Sequence, residues 1–326
     1  MTEKQDVERT LELNRSQSWE IEARSLWGDA FRRLVRSKTS LLGLGIFLLF
    51  VFAAIFGLAL SPYDYLRQDL YALEQGPSWA HPFGTDELGR DFLTRIIAGA
   101  RTALFVGVFV TILQVGSGVL IGATAAYLGG WIDTLLMWTV DTILSFPHFL
   151  LAVFINATLE NPIEDAMIAV AERTGWQWAN NTVYIDYVVV FGALAMVGWG
   201  PIARLVRGQI LSLRAQDFIL SAEAVGVRTP RIVLRHLLPN ALGPVIVAAT
   251  AGFGSIVLAE SSLSFLGIGI QPPGASWGAM ITENMGVWRE RPHLVAVPGI
   301  TLSLIVFAAN FLGDGLNDAL NPRSRQ

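Results

Sequence analysis

The chain has 326 residues, 52% of them hydrophobic and 15% charged, against roughly a quarter charged in ordinary globular chains. A net charge of −4 gives no basic footprint for nucleic acid, and the lack of cysteine excludes disulfides, thiolate metal sites and cysteine nucleophiles. Its two lysines, Lys4 and Lys38, do not stand in the Gly-Lys-Ser/Thr setting of a phosphate-cradling loop, and His81, His148, His236 and His293 are too far apart for short metal-ligand spacing.

In chain order, residues 1–40 form a polar N-terminal segment. Trp27, Phe31, Leu34 and Val35 share one helical face, with Arg32, Arg33 and Arg36 elsewhere. Two readings fit this pattern: a helix lying on the inner leaflet, or an ordinary juxtamembrane basic stretch. Six apolar stretches follow, at 41–60, 102–128, 131–159, 188–206, 241–263 and 293–312. Each approaches the roughly 20 apolar residues that a bilayer-spanning helix needs. The first lies too far from the N-terminus, and is too long, for a cleaved signal peptide. Residues 41–312 are therefore read as one all-α polytopic domain of six transmembrane helices, followed by a tail at 313–326.

With the N-terminus inside, the external side carries only Arg67, Arg90, Arg95, Arg101, Arg173, Arg289 and Arg291 of the 23 Lys and Arg residues. That bias puts both termini in the cytoplasm. It leaves an external loop at 61–101, an external insertion at 160–187 and a cytoplasmic loop at 207–239. Asp141 and Glu260 interrupt apolar stretches. Carboxylates at such depth line a pathway or fix helix packing, and the sequence leaves both open. Gly118 and Gly122 form a small-xxx-small pair suited to close helix packing. Pro147 and Pro298 each remove a helical hydrogen bond and can kink their spans. Arg90, Asp91 and Arg95 read as an ion-pair group rather than a ligand site.

The loop between the fourth and fifth spans has internal order. Asp217 caps a short helix in which Phe218, Ala222 and Val225 share a face, and Gly226 stops it. Thr229-Pro230 starts a second helix, and Pro239-Asn240 marks the beginning of the fifth span.

This stretch, DFILSAEAVGVRTPRIVLRHLLPNA from Asp217 to Ala241, resembles the cytoplasmic EAA loop of binding-protein-dependent importer permeases. Within them it is similar to the C-type inner-membrane subunit of the dipeptide and oligopeptide permease family. Gly226, Leu238 and Pro239 fit the family pattern, and Arg235 to Asn240 match its peptide branch. The glutamate position of the pattern is Leu220, followed by Ser221 and Ala222, with Glu223 three residues later. Four further blocks occur in the family's order: HPFGTDELGRDFLTRIIAGAR from His81, DTILSFPHFLLA from Asp141, ESSLSFLGIG from Glu260 and GDGLNDALNPR from Gly313. Residues Glu160 to Asp186 match none of these blocks.

The resemblance implies a type I ATP-binding-cassette importer permease fold with a cytoplasmic coupling helix, and no catalysis in this chain. It implies ATPase coupling through Asp217, Phe218, Leu220, Ser221, Ala222, Glu223, Gly226, Leu238 and Pro239. It also implies a homologous second permease subunit, one or two ATPase subunits that bind the ATP and Mg, and an extracytoplasmic solute-binding protein. The location is then the bacterial inner membrane, and the solute a di- or oligopeptide, a nickel chelate, a glutathione-like compound or an oligosaccharide. The rival reading from the residues is a proton-coupled carrier using Asp141 and Glu260. No nucleophile–base pair supports a membrane enzyme.

Overall fold

The computed structural model describes residues 32, 34–224, 226–227 and 229–320, excluding the side chains of Leu220, Ala222, Glu223, Thr229 and Pro230. Trp27 and Phe31 of the expected interfacial helix lie outside the described residues. Among those described, every extended element is a helix. This is what an apolar solvent demands, because a helix satisfies its backbone donors and acceptors internally.

Helix α1 runs from Lys38 to Leu60 and is capped by Ser37, whose hydroxyl accepts from the Ser40 amide at 3.3 Å. A wide π turn at Ala53–Gly57 interrupts it. Helix α2, Phe92–Leu128, begins at Asp91, whose carboxylate accepts from the Thr94 amide at 2.8 Å. A helix therefore begins within the stretch 61–101 that the sequence assigns to an external loop, started by the Asp91 cap. Helix α5 is Thr182–Arg214, α8 is Leu238–Phe265 and α10 is His293–Leu320. These five long helices, with a π turn at Val233–Leu237 leading into α8, are apolar enough to cross a membrane.

The expected third span at 131–159 is not one straight helix. Helix α3, Gly130–Ser145, and helix α4, His148–Thr174, meet at 95° across Phe146 and Pro147. Proline has no amide hydrogen and pushes the residue before it out of helical geometry, so the ladder breaks there. Phe146 accordingly sits in extended backbone. Beyond 160 the chain stays helical to Thr174, and much of the expected insertion is therefore a continuation of α4. A short 3-10 turn, Gln177–Asn180, then leads into α5, with Trp176 and Trp178 stacked at 5.9 Å beside Tyr184.

The helices pack through small residues. A Cβ on Gly118 would meet the Ile202 side chain at 2.7 Å, and one on Gly122 would meet the Ala203 carbonyl at 2.3 Å. The pair read from the sequence thus lets α2 and α5 touch backbone to backbone. Three apolar clusters hold the bundle. One joins α1, α2, α8 and α10 around Phe92, Trp277 and Ile305, with the Trp277 indole donating to the Ile96 carbonyl at 3.0 Å. A second joins α2, α4, α5 and α8 around Val106, Ala152 and Leu263. The third gathers at the end of the bundle where α5 stops and α8 begins.

At the opposite end, the segment before α2 is locked by buried charges. Asp86 accepts from Arg90 Nε at 2.7 Å and from Arg95 Nη1 at 2.6 Å. Arg95 also donates at 2.8 Å to Glu283 on the short helix α9, Trp277–Glu283. Asp91 is used up by its cap and by His81 Nδ1 at 2.9 Å. The group thus pins the segment before α2 to α9, as a structural ion-pair network does.

Candidate functional site

The end of the bundle holding the third apolar cluster carries most of the residues singled out from the sequence. Helix α5 stops at Arg214, whose Nη1 donates to the Ala126 carbonyl at 3.1 Å and ties the end of α5 to the end of α2. Helix α6, Asp217–Ala224, follows after two residues. Its first turn is set by the Ile219 amide donating to the Gln216 carbonyl at 3.0 Å. Helix α7, Thr229–Ile232, then runs through the π turn into α8.

Eight residues make a helix too short to persist alone in water, so packing must hold α6 in place. Ile219 does this. It is 0% exposed, among Ile210, Ile232, Val233 and Leu237. Asp217, Phe218, Ser221 and Gly226 are exposed, Phe218 by 43%. Leu238 packs on the same cluster and Pro239 occupies the exposed first turn of α8. The helix therefore has one face sunk in its own bundle and another, led by an aromatic ring, turned outward. Gly226 adopts φ +78°, the left-handed region that glycine enters without strain, and a Cβ there would meet nothing within 4 Å. Backbone geometry, not crowding, calls for glycine at that turn. The side chains of Leu220, Ala222 and Glu223 lie outside those described, and so does the question of whether Glu223 replaces the missing glutamate.

Asp141 lies on α3 and pairs with Arg204 of α5 through a short hydrogen bond, the two side chains being 63% and 56% exposed. One helical stretch earlier, Asp133 takes both Nε and Nη2 of Arg207 at 2.5 Å. This two-rung ladder fixes α3 across α5 toward its Arg214 end. Beside the ladder, α3 exposes Trp131, Leu135 and Trp138. Glu260 is elsewhere, buried near the far end of α8, where it accepts from Ser264 Oγ at 2.9 Å and Ser261 Oγ at 3.2 Å. Ser264 Oγ in turn accepts from the Ile270 amide at 3.0 Å. Glu260 therefore clasps the turn that ends α8.

A cavity of about 390 Å³ opens beside the break between α3 and α4. Apolar side chains of α2, α4, α5 and α8 line most of it, with Thr111, Gln114, His148 and Ser255 as its polar points. Gln114 donates to the Leu194 carbonyl at 2.9 Å, which fixes its amide on the wall. Pro201, inside α5, lines the cavity, and His148, the first residue of α4 after Pro147, does so from the other side. Among the described residues no group of three or more His, Cys, Asp or Glu side chains is arranged to hold a metal ion.

Residues 118–326 match the family described as the binding-protein-dependent transport system inner membrane component. Residues 25–77 match the N-terminal transmembrane domain of oligopeptide transport permease C. The chain is 39% identical to the dipeptide transport system permease protein DppC of Alkalihalophilus pseudofirmus, over 92% of this chain and 91% of the relative. It is 32% identical to the oligopeptide transport system permease protein OppC of Bacillus subtilis, over 93% and 91% of the two chains. It is 37% identical to the glutathione transport system permease protein GsiD of Escherichia coli, over 93% and 92%.

Proposed function

Because the chain belongs to the binding-protein-dependent transport system inner membrane components, in the dipeptide and oligopeptide permease family of ATP-binding-cassette importers, we propose that it forms one half of a peptide-translocating pore and is driven through α6. Its relatives are permease subunits of multi-pass inner-membrane transporters, and the chain shares that role. The observation that carries the proposal is the two-faced anchorage of α6, with Ile219 buried and Phe218 free.

In this reading the α6 end faces the cytoplasm, and both chain termini lie on that side. A partner ATPase binds ATP and Mg and grips Phe218 and its neighbours. Its closure moves α6 as a rigid body, and the spans reopen toward the other side. Solute delivered by an extracytoplasmic binding protein then passes along the cavity between α2, α4, α5 and α8. The Asp141–Arg204 ladder supports a second permease subunit packed on α3. Exposed charges do not face hydrocarbon, so protein or water must cover them. Peptides are the substrate class, carried over from the dipeptide, oligopeptide and glutathione systems of the relatives.

The lack of cysteine makes the test direct. In the intact complex, Phe218→Cys should cross-link to the ATPase subunit, and Ser221→Cys should resist a membrane-impermeant maleimide added to cells. Tyr71→Cys, in the segment before α2, should react with that reagent. Labelling of Ser221→Cys from outside, or no cross-link from Phe218→Cys, contradicts the docking role.

A further inference from the structure

A second cavity, of about 280 Å³, lies at the end of the bundle away from α6. It is enclosed by the end of α1 at Leu58, the following loop at Tyr65, the first turns of α2 and α5, and the segment Pro273 to Ala275. Arg101 is the one charged side chain among its lining residues. It lies nine residues after Phe92, in the third turn of α2, is exposed, and makes no hydrogen bond or ion pair among the described residues. This differs from Arg90 and Arg95, which are engaged by Asp86 and Glu283.

Around Arg101 the cavity offers donors and no carboxylate. The hydroxyls of Tyr65 and Tyr184 make no hydrogen bond among the described residues. Asn181 uses its Oδ1 to accept from the Val183 amide at 3.0 Å, which leaves its amide nitrogen as a donor. The Tyr187 hydroxyl pairs with Thr102 at 2.9 Å. Burial raises the Tyr65 phenol above its usual range, with nearby Asp64 adding to the rise and Arg101 opposing it, so the hydroxyl stays protonated and able to donate. Leu58, Phe105 and Pro273 supply an apolar floor beside this polar wall. An arginine without an ion-pair partner, set among hydroxyl and amide donors, is free to take an oxyanion, because guanidinium binds oxyanions in charge-assisted pairs.

We propose that this cavity is an oxyanion subsite that receives the C-terminal carboxylate of a short peptide, with Arg101 as its principal donor and the apolar floor under the last side chain. The proposal rests on the peptide-importer reading above. Its volume is at the lower limit of small-molecule sites, which suits the end of a peptide rather than its length. A phosphate of an anionic lipid headgroup offers the same chemistry, and the experiment separates the two sources.

The intact transporter complex is placed in phosphatidylcholine nanodiscs without binding protein or ATP. Binding of radiolabelled Ala-Phe is compared with that of its C-terminal amide, for the unaltered complex, Arg101→Gln, Arg101→Lys and Tyr65→Phe. The free acid should bind about tenfold more tightly than the amide, the scale of one charge-assisted hydrogen bond. Arg101→Gln should erase that preference, and Arg101→Lys should retain part of it. The acid–amide comparison needs no variant, so it stands if Arg101→Gln fails to assemble. Discs containing phosphatidylglycerol test the other source: Arg101-dependent lipid retention with loss of acid binding assigns the same subsite to a headgroup. Equal binding of acid and amide together with unchanged lipid retention in Arg101→Gln overturns the inference. Uptake into proteoliposomes with binding protein and ATP is measured in parallel. Peptide uptake without any acid preference sinks this subsite alone, and acid binding without peptide uptake sinks the importer reading.

Discussion

Replacing Ile219 with alanine removes the side chain that holds α6 to the bundle. The change deletes three carbon atoms from a fully buried site. At about 0.8 kcal/mol per buried carbon the transfer loss is roughly 2.4 kcal/mol, and the cavity left behind raises the total toward about 3 kcal/mol. Because α6 has only eight residues and little intrinsic helix stability, the loss falls on its local opening rather than on the whole bundle. A loss of about 3 kcal/mol raises the population of detached α6 roughly a hundredfold. Hydrogen–deuterium exchange across 217–224 reads that population, and uptake per ATP hydrolysed in proteoliposomes reads its consequence. Exchange should accelerate by about two orders of magnitude in this segment, with α2 and α10 unchanged, and coupling should fall. Phe218→Ala should weaken coupling with no change in exchange, since that ring is outside the cluster. If Ile219→Ala leaves exchange and coupling at their original values, the anchorage argument is wrong.

Gly226→Arg forces a side chain into the left-handed region at a cost of roughly 1–2 kcal/mol; the subunit should remain in the membrane, as membrane fractionation reports, while peptide uptake is lost. Asp86→Ala leaves Arg90 and Arg95 buried with Glu283 as their one remaining carboxylate, a loss of up to about 3–5 kcal/mol, so the Tm of the purified complex should drop and the segment before α2 should become protease-sensitive. Reversing Asp141 or Arg204 singly should reduce co-purification of the second permease subunit, and reversing both should restore it; a pair bathed only in water would move recovery little, since such pairs contribute about 0.2–1 kcal/mol. Gly122→Leu drives a side chain into the Ala203 carbonyl and should lower the yield of folded protein, read by fluorescence-detected gel filtration.

The long spans were legible because their apolar runs exceed what any soluble element needs. The α6–α7 turn was legible because Gly226 takes a left-handed backbone that glycine enters without strain, although the helix before it starts at Asp217 itself, one residue earlier than a cap there would place it. What the sequence hid depends on three-dimensional placement. The spacing of Phe218, Ala222 and Val225 picked out an apolar face, yet among the side chains described in α6 it is Ile219 that meets the bundle. Nothing local distinguishes it, since its partners Ile210 and Leu237 come from other helices. Pro147 announced a kink without its angle, and 95° turns one expected span into two differently directed helices. Asp141 and Glu260 looked alike as lone acids in apolar runs. One proved to be half of an exposed ladder and the other an enclosed clasp, because arginine and serine partners were supplied by folding. Arg101 was one more positive charge in a topology count until Tyr65 and Tyr184 were brought beside it.

Helix α5 has 33 residues, about 50 Å of rod at about 1.5 Å per residue, which exceeds the hydrocarbon thickness of roughly 30 Å. It is pressed against α2 at Ile202 and Ala203, where glycines admit no slack, and Pro201 sits directly beside that crossing. Contact is not confined to that crossing, since Tyr187 meets Thr102 at 2.9 Å and Gln114 holds the Leu194 carbonyl at 2.9 Å. The two rods are fastened along their length, and a push at either end carries both as one spar.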